Sequence, residues 1–231
     1  MTTAIIVAAG KGLRMKRCRP KQFLPLAGRP ILSSTLAAFN ACPQIRRIVL
    51  VVPAADFDFC RGHVLPDAVP RVGVCLVAGG LRRQDSVYNG LSAMDDGDPD
   101  RVVLIHDGVR PFVTPSLICA CIDAAREFGA CVPCVSLQDT VKRIGDDDTV
   151  VRTLDRGSLR LAQTPQAFHF ALIRSAHEQA RRDNYLGTDD ASLVERLGSP
   201  VRMIEGSRTN VKITTAEDLA MAEALAAAGL V

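Results

Sequence analysis

Short unbroken apolar runs alternate with amphipathic stretches through the first 136 residues, and no other feature narrows the fold as far. Residues 3–9 form the first run, which ends at Gly10. A strand buried on both faces reads this way, whereas a strand with one wet face alternates apolar and polar residues. Residues 47–52, 72–77, 101–106 and 131–136 read as further strands. Between them, residues 30–40 put Ile31, Leu32, Leu36 and Phe39 on one side of a helix, with Pro30 in its first turn and Pro43 as its stop. Residues 85–94 align Val87, Leu91 and Met94 on one helical stripe. Thr114 and Pro115 supply an N-cap and a first helical residue, and Leu117, Ile118, Cys121, Ile122, Ala125 and Phe128 continue that helix's apolar face. This alternation predicts an α/β fold: a Rossmann-like, mostly parallel twisted sheet with helices on both faces. Such sheets bind ligands at the carboxyl ends of their strands, so the loops after Ala9, Val77 and His106 are the places to search.

The pattern changes after Leu137. Residues 139–143 and 149–154 flank Ile144-Gly145-Asp146-Asp147-Asp148, which predicts a projecting β-hairpin arm. Residues 138–160 are read as an arm within one domain of residues 1–231. Composition leaves open whether the arm is a plain surface hairpin or a dimer contact. Residues 200–205 and 210–214 read as strands. Thr214 and Glu217 have capping-box spacing for a last helix carrying Leu219, Ala222, Leu225 and Ala226, ended by Gly229.

The chain's 231 residues suit a single substantial core. The 28 basic and 25 acidic residues leave a formal charge of +3, which does not suggest a nucleic-acid surface. No apolar run reaches the roughly 20 residues a membrane span needs. The amino terminus lacks the cationic start of a secretory signal, so the expected compartment is the cytoplasm. Eight cysteines are then expected as reduced, mostly buried thiols. Cys131-Val-Pro-Cys134 has the spacing of a redox dithiol, but it falls in a strand instead of at a helix start. Cys119-Ala-Cys121 is spaced too closely for a structural zinc pair.

Three loops carry the chemistry. The first reads Ala8-Ala9-Gly10-Lys11-Gly12-Leu13-Arg14-Met15 and continues to Arg19-Pro20-Lys21-Gln22. Its glycines let backbone N–H groups approach a phosphate, and Arg14 and Lys21 add cations. Met15 stands where a dinucleotide fingerprint wants a small residue, and the Walker spacing is absent. A tight turn with two solvated cations is the plainer alternative. The second loop, Gly79-Gly80-Leu81-Arg82-Arg83-Gln84-Asp85-Ser86, leads into a helix. It reads either as a base or phosphate contact or as a turn capped by Asp85 or Ser86. The third, His106-Asp107-Gly108-Val109-Arg110-Pro111, places a carboxylate at a strand end. There it can hold Mg²⁺ or a ribose hydroxyl, or bond its own turn. Together the loops supply the inventory for a nucleoside triphosphate with magnesium.

The first loop resembles the nucleotidyltransferase signature. The longer pattern is similar to the 2-C-methyl-D-erythritol 4-phosphate cytidylyltransferase family, carried by 85–87, 106–111, 139–142, Asp155-Arg156, Gln163-Thr164-Pro165-Gln166, 188–192 and 210–214. That resemblance implies CMP transfer from CTP to methylerythritol phosphate, with pyrophosphate released and Mg²⁺ as cofactor. It implies that Arg14 and Lys21 stabilise the transition state, and that Arg156, Lys212 and Thr140 position the second substrate. Ala8, Ala9, Gly10, Gly12, Gly80, Arg83, Ser86, Asp107, Gly108, Arg110 and Thr164 would hold CTP, with Asp107 as a metal contact. It also implies a homodimer through the arm, which would carry Thr140 and Arg156 toward the neighbour's site. Leu81 stands where relatives often carry an acidic residue. A cytidylyltransferase for another polyol phosphate, such as ribitol 5-phosphate, would show nearly the same loops. A non-catalytic nucleotide-binding regulator is the alternative of a different class.

Overall fold

The computed structural model describes residues 2–10, 20–94 and 98–229. Strand β1 (Thr3–Val7) is followed by the paired β2 (Pro25–Leu26) and β3 (Arg29–Pro30), α1 (Ile31–Ala41), β4 (Arg47–Val52), the short α2 (Phe57–Phe59) and α3 (Leu65–Ala68), and β5 (Gly73–Ala78). Next come α4 (Arg83–Ser92), β6 (Val102–Asp107), α5 (Pro115–Phe128), β7 (Ala130–Ser136), β8 (Val141–Ile144), β9 (Val150–Leu154), β10 (Arg160–Ala162) and β11 (Gln166–His169). The chain closes with α6 (Phe170–Arg182), α7 (Asp190–Arg196), β12 (Arg202–Glu205) and α8 (Ala216–Ala227).

Eight strands form one sheet in the order β10-β7-β11-β6-β1-β4-β5, with β12 on the other edge of β7. Strands β1, β4, β5, β6, β7 and β12 run one way, and β10 and β11 run against them. The chain steps outward from β1 to β4 and β5, then returns to lay β6 on the free edge of β1. Val7 therefore sits between Val51 and Asp107, at the point where the strand order reverses. The loops leaving β1 and β6 part there, and a crevice opens between them.

The expected two-sided burial holds for β1, β4 and β6, while the edge strand β5 is only partly buried. Ile6 and Leu50 pack with α1 and α5 on one face, through Leu36, Phe39, Ile118 and Ile122. Ile5 and Val49 pack with α4 and α6 on the other, through Val87, Leu91 and Ile173. Thr114 caps α5 as expected, accepting from the Leu117 N–H at 3.2 Å. Phe128 departs from that helix's buried stripe and is exposed, with the Arg202 guanidinium over its ring.

Three local expectations need correction. Residues 210–214 are not a strand. The Asn210 side chain donates to the Thr164 carbonyl at 2.8 Å and Ile213 N–H to the Val109 carbonyl at 2.9 Å, so the segment crosses the strand ends instead of joining an edge. Its apolar Ile213 serves a small cluster with Leu24, Phe112 and Leu219. The capping box is one residue later, at Thr215 and Asp218, because the Asp218 carboxylate gathers the N–H groups of both Thr214 and Thr215. Pro30 precedes α1 and does not lie within its first turn.

The hairpin is present as a separate two-stranded sheet of β8 and β9, with Ile144 taken into β8. Ile144, Val150 and Val151 are exposed on it. Cys131 and Cys134 lie in β7, as the strand reading required. Three residues apart on a strand, they point to opposite faces and into different core clusters, so they cannot bond to each other. Among the described residues, no helix is long and apolar enough to cross a membrane.

Candidate active site

At the crevice, each loop is held by hydrogen bonds, some from its own residues and some from neighbouring strands and loops. After β1, the Ala8 N–H donates to the Val51 carbonyl at 2.8 Å. The Gln22 amide, 1% exposed, then donates to the Ala8 carbonyl at 2.7 Å and fastens the turn from behind. After β5, Gly79 touches the first loop so closely that a Cβ there would lie 2.2 Å from the Ala9 Cβ. Only glycine permits this approach. The Gly80 N–H donates to the Ser86 hydroxyl at 3.0 Å, and that hydroxyl donates to the Arg82 carbonyl at 3.1 Å. Helix α4 consequently starts earlier than residue 85. Asp85 is its third residue and reaches back to the Arg82 N–H, at 3.2 Å.

The third loop brings the charge. Asp107, at the carboxyl end of β6, accepts from Arg83 Nε at 2.9 Å and from Lys212 Nζ at 2.8 Å, one on each carboxylate oxygen. Burial alone would raise its pKa, but Arg83 and Lys212 outweigh burial and hold the carboxyl well below the usual carboxylate range. Arg83 spans to a second carboxylate, donating through Nη1 to Asp190 at 2.8 Å. Burial disfavours its charge, yet Asp190 and Asp107 together keep the guanidinium firmly protonated.

Behind Asp107, His106 is fully buried against Phe39, and burial pushes its pKa down to about 3. The neutral ring bridges the Thr164 hydroxyl at 3.0 Å and the Arg110 carbonyl at 3.1 Å. The carbonyl can only accept, so Nε2 carries the proton and Nδ1 accepts from Thr164. The same hydroxyl accepts the Asp107 N–H at 3.2 Å.

Nine of the residues singled out in the sequence line one cleft of about 460 Å³: Ala8, Ala9, Gly10, Lys21, Gly80, Arg83, Ser86, Asp107 and Lys212. Val7, Gln22, Leu81, Arg82 and Val109 complete it, with Leu81 wholly exposed at the rim. Gly108, Arg110 and Thr164 are not on its surface. A Cβ at Gly108 would meet Ala8 and Leu32 at 2.9 Å, so that glycine serves packing. Arg110 donates to the Asn210 carbonyl at 2.6 Å, and the Thr164 hydroxyl is committed to His106 and Asp107. Thr140 and Arg156 lie on the arm, outside the cleft, where Arg156 donates to the Gln138 carbonyl. Arg14 and Gly12 fall outside the described residues.

Sequence reasoning did not single out Gln22, Asp190 or His177 as site residues. The signals were the Gln after Pro20-Lys21 and the adjacent acids Asp189 and Asp190. His177 gave none, since one histidine on a helix has no diagnostic spacing.

For magnesium, the described residues offer no cluster of three acidic, His or Cys side chains. They offer Asp107 alone at the cleft floor. One carboxylate is what a phosphate-borne Mg²⁺ asks of a protein, since phosphates and water supply its other ligands. Both Asp107 oxygens already hold Arg83 and Lys212, so the described donor set would not cage a resident ion, and an ion arriving with a nucleotide would meet this carboxylate only in competition with those cations.

A parallel sheet with a crevice at its switch point, glycine loops on either wall and cations gathered round a carboxylate defines a nucleotide-binding α/β protein. The chain belongs to the IspD family, 2-C-methyl-D-erythritol 4-phosphate cytidylyltransferase, whose model matches residues 2–227. It is 48% identical over 222 residues to the 2-C-methyl-D-erythritol 4-phosphate cytidylyltransferase of Syntrophus aciditrophicus, covering 96% of this chain and 94% of that one. With the enzyme of the same name from Syntrophotalea carbinolica it shares 50% over 220 residues, covering 95% and 94%. Among solved structures it resembles the 4-diphosphocytidyl-2C-methyl-D-erythritol synthase of Anaerococcus prevotii, with a TM-score of 0.86 and 35% identity over 98% of this chain and 96% of that one.

Proposed function

We propose that this chain transfers CMP from CTP to the phosphate of 2-C-methyl-D-erythritol 4-phosphate, giving 4-diphosphocytidyl-2-C-methyl-D-erythritol and pyrophosphate. The observation that carries the reading is the Arg83–Asp107–Lys212 cluster on the floor of the glycine-walled cleft, in a chain of this family.

The substrate brings its own nucleophile. A phosphate-monoester oxygen, anionic near neutral pH, attacks the α-phosphorus of CTP as the bond to pyrophosphate breaks. The protein's task is alignment and charge stabilisation. Lys21 on the cleft wall, with Arg14, stabilises charge on the α-phosphate. Backbone from Ala8 to Gly12 and at Gly80 receives the triphosphate. Arg83, Ser86 and Asp107 shape the remaining wall, while Gly108, Arg110 and Thr164 hold that wall from behind. Lys212, resting on Asp107 with its side chain 40% exposed, is placed to share its charge with the second substrate's phosphate. Mg²⁺, when bound with CTP near Asp107, would neutralise phosphate charge. Thr140 and Arg156 would complete the polyol-phosphate side from the arm of a second copy of the chain. The exposed Ile144, Val150 and Val151 support that pairing. A cytoplasmic setting suits the free thiols among the described residues.

The test is a substrate panel. Purified protein is incubated with CTP, Mg²⁺ and either methylerythritol phosphate or ribitol 5-phosphate, and pyrophosphate is measured. Release with the first and not the second is expected. Release with ribitol phosphate alone would reassign the substrate, and CTP binding without release from either would point to a nucleotide-binding regulator.

A further inference from the structure

The cleft's charged floor does not end at Arg83. Asp190, 1% exposed, takes Arg83 Nη1 on Oδ2 at 2.8 Å and His177 Nε2 on Oδ1 at 3.0 Å. His177, fully buried on α6, completes a run of five side chains from solvent into the core: Lys212, Asp107, Arg83, Asp190, His177. Asp190 is itself fixed at the start of α7, where Gln166 Oε1 accepts the N–H groups of Asp190 and Ala191 at 3.1 and 2.9 Å.

A buried carboxylate is costly unless it is paired and hydrogen-bonded on both oxygens. Stability alone could be served as well by a well-packed apolar set in place of Arg83, Asp190 and His177 together. Here the charge instead reaches a guanidinium whose other nitrogen holds the cleft's Asp107. With only Asp107 as partner, Arg83 could swing about a single bond. With two carboxylates on Nε and Nη1, the plane of its fork is fixed. The third of the side chain that stays exposed is then the edge presented to the cleft.

We infer that Asp190, braced by His177, is a positioning residue for Arg83: it sets the guanidinium in the CTP-binding wall without touching the nucleotide. The inference rests on the proposed function, since Arg83 must face a bound nucleotide for its orientation to matter. It assigns function to two side chains more than 80 residues along the chain from Arg83, which motif spacing alone would leave as core polar residues.

The test is a cycle of four full-length proteins: the unaltered chain, Asp190→Asn, Arg83→Ala and the double variant. KM for CTP and kcat are measured by pyrophosphate release, with melting followed in parallel. Asparagine keeps the shape and removes the charge. In the Arg83 background it is expected to raise KM for CTP about tenfold, the size of one buried charge-assisted hydrogen bond, with kcat changed less. In the Arg83→Ala background the same substitution should leave KM almost unmoved, because nothing remains to be positioned. A purely structural Asp190 would lower melting and raise KM equally in both backgrounds, which overturns the inference. If Asp190→Asn does not fold, Asp190→Glu, which keeps the charge and shifts it by one methylene, is carried through the same cycle with the same two outcomes. An unaltered chain that releases no pyrophosphate would instead defeat the proposed function. Normal activity with an Asp190 effect independent of Arg83 would defeat only the positioning role.

Discussion

Asp107 and Arg156 are both charged residues of the proposed active site, yet their surroundings are opposite. Asp107 is 7% exposed and held by two cations, while its main-chain N–H is bonded to Thr164. Arg156 lies in an exposed turn at the base of the arm, with its guanidinium on the Gln138 carbonyl. The described part of the cleft is thus assembled within one chain, and its Asp107 and Arg83 are braced from the core. The arm instead carries its polar groups on a hairpin outside the main sheet, with apolar Ile144, Val150 and Val151 exposed beside them. Under the proposed function, the difference would separate the two substrates. A rigid wall suits the triphosphate, whose α-phosphate needs accurate alignment. The arm's groups have no such wall, and under the proposed pairing of two copies they would reach the neighbour's cleft.

The largest effect tests the preassembled side. Lys21→Ala is expected to lower kcat about 1000-fold with a much smaller change in CTP affinity, because a cation aimed at developing charge acts on the transition state. Single-turnover pyrophosphate release beside direct CTP binding separates the two quantities. Equal losses in both would make Lys21 a ground-state contact, and the contrast with the arm would weaken. Arg156→Ala tests the other side: an approximately 100-fold drop in kcat/KM for methylerythritol phosphate, with KM for CTP unchanged, is expected. The two variants also test each other. Mixed and reassorted, they should recover about one quarter of normal activity, since half of the pairs would hold one intact site. No recovery would mean that the arm serves its own chain.

Much of this division could be read from the chain. Unbroken apolar runs placed β4, β5, β6 and β7 within a residue at each end and β1 within two, whereas the short β2, β3, β10 and β11 carry no such run and were not read as strands. The cleft's glycines and Asp107 followed from their position at strand ends. Other features depend on partners distant in sequence. Residues 210–214 have a strand's composition, yet Asn210 is claimed by Thr164, 46 residues earlier. Arg110 and Thr164 sit in motifs that suggest ligand contacts, and the fold gives them long-range partners: Arg110 Nη1 donates to the Asn210 carbonyl, and the Thr164 hydroxyl bridges His106 and the Asp107 N–H. Asp190 was visible only as one of two adjacent acids. The guanidinium that gives it meaning is 107 residues away.

The braced side should also be the acid-sensitive one. In the unfolded chain His106 titrates near 6.5, whereas burial holds it at about 3 in the fold. As pH falls from about 6.5 the unfolded state takes up the proton first, so folded stability drops by about 1.4 kcal/mol per pH unit until the folded ring titrates too. Asp107 has a lowered pKa, so its contribution is intact above about 4 and is lost only below that. Between pH 6.5 and 4 the difference between the unaltered chain and His106→Gln therefore reports His106 apart from Asp107. Denaturant unfolding at pH 7.5, 6 and 5 should show this slope in the unaltered chain, and one proton less of it in His106→Gln. An identical slope in both would mean that the ring is not held neutral behind Asp107.

The smallest expected effect concerns β7, which joins the two regions by running from the core to the base of the arm. Its Cys131 and Cys134 have the spacing of a redox pair, and an oxidoreductase built on them would need their sulfurs within bonding distance. The strand forbids this by turning one thiol into each face of the sheet. Each sulfur has a backbone acceptor nearby, the Cys121 carbonyl at 3.6 Å for Cys131 and the Val132 carbonyl at 3.9 Å for Cys134. Serine hydroxyls could use the same acceptors, so the double Cys131→Ser, Cys134→Ser chain should fold. It should lose about 1–3 kcal/mol of stability to the added polar burial. CTP-dependent pyrophosphate release should stay within about twofold, since neither sulfur lines the cleft and surroundings this far from the chemistry act only through stability. A fall of tenfold or more, in protein still folded by circular dichroism, would mean that β7 transmits its packing to the base of the arm. The arm would then be tied to the core more tightly than its exposed surface implies.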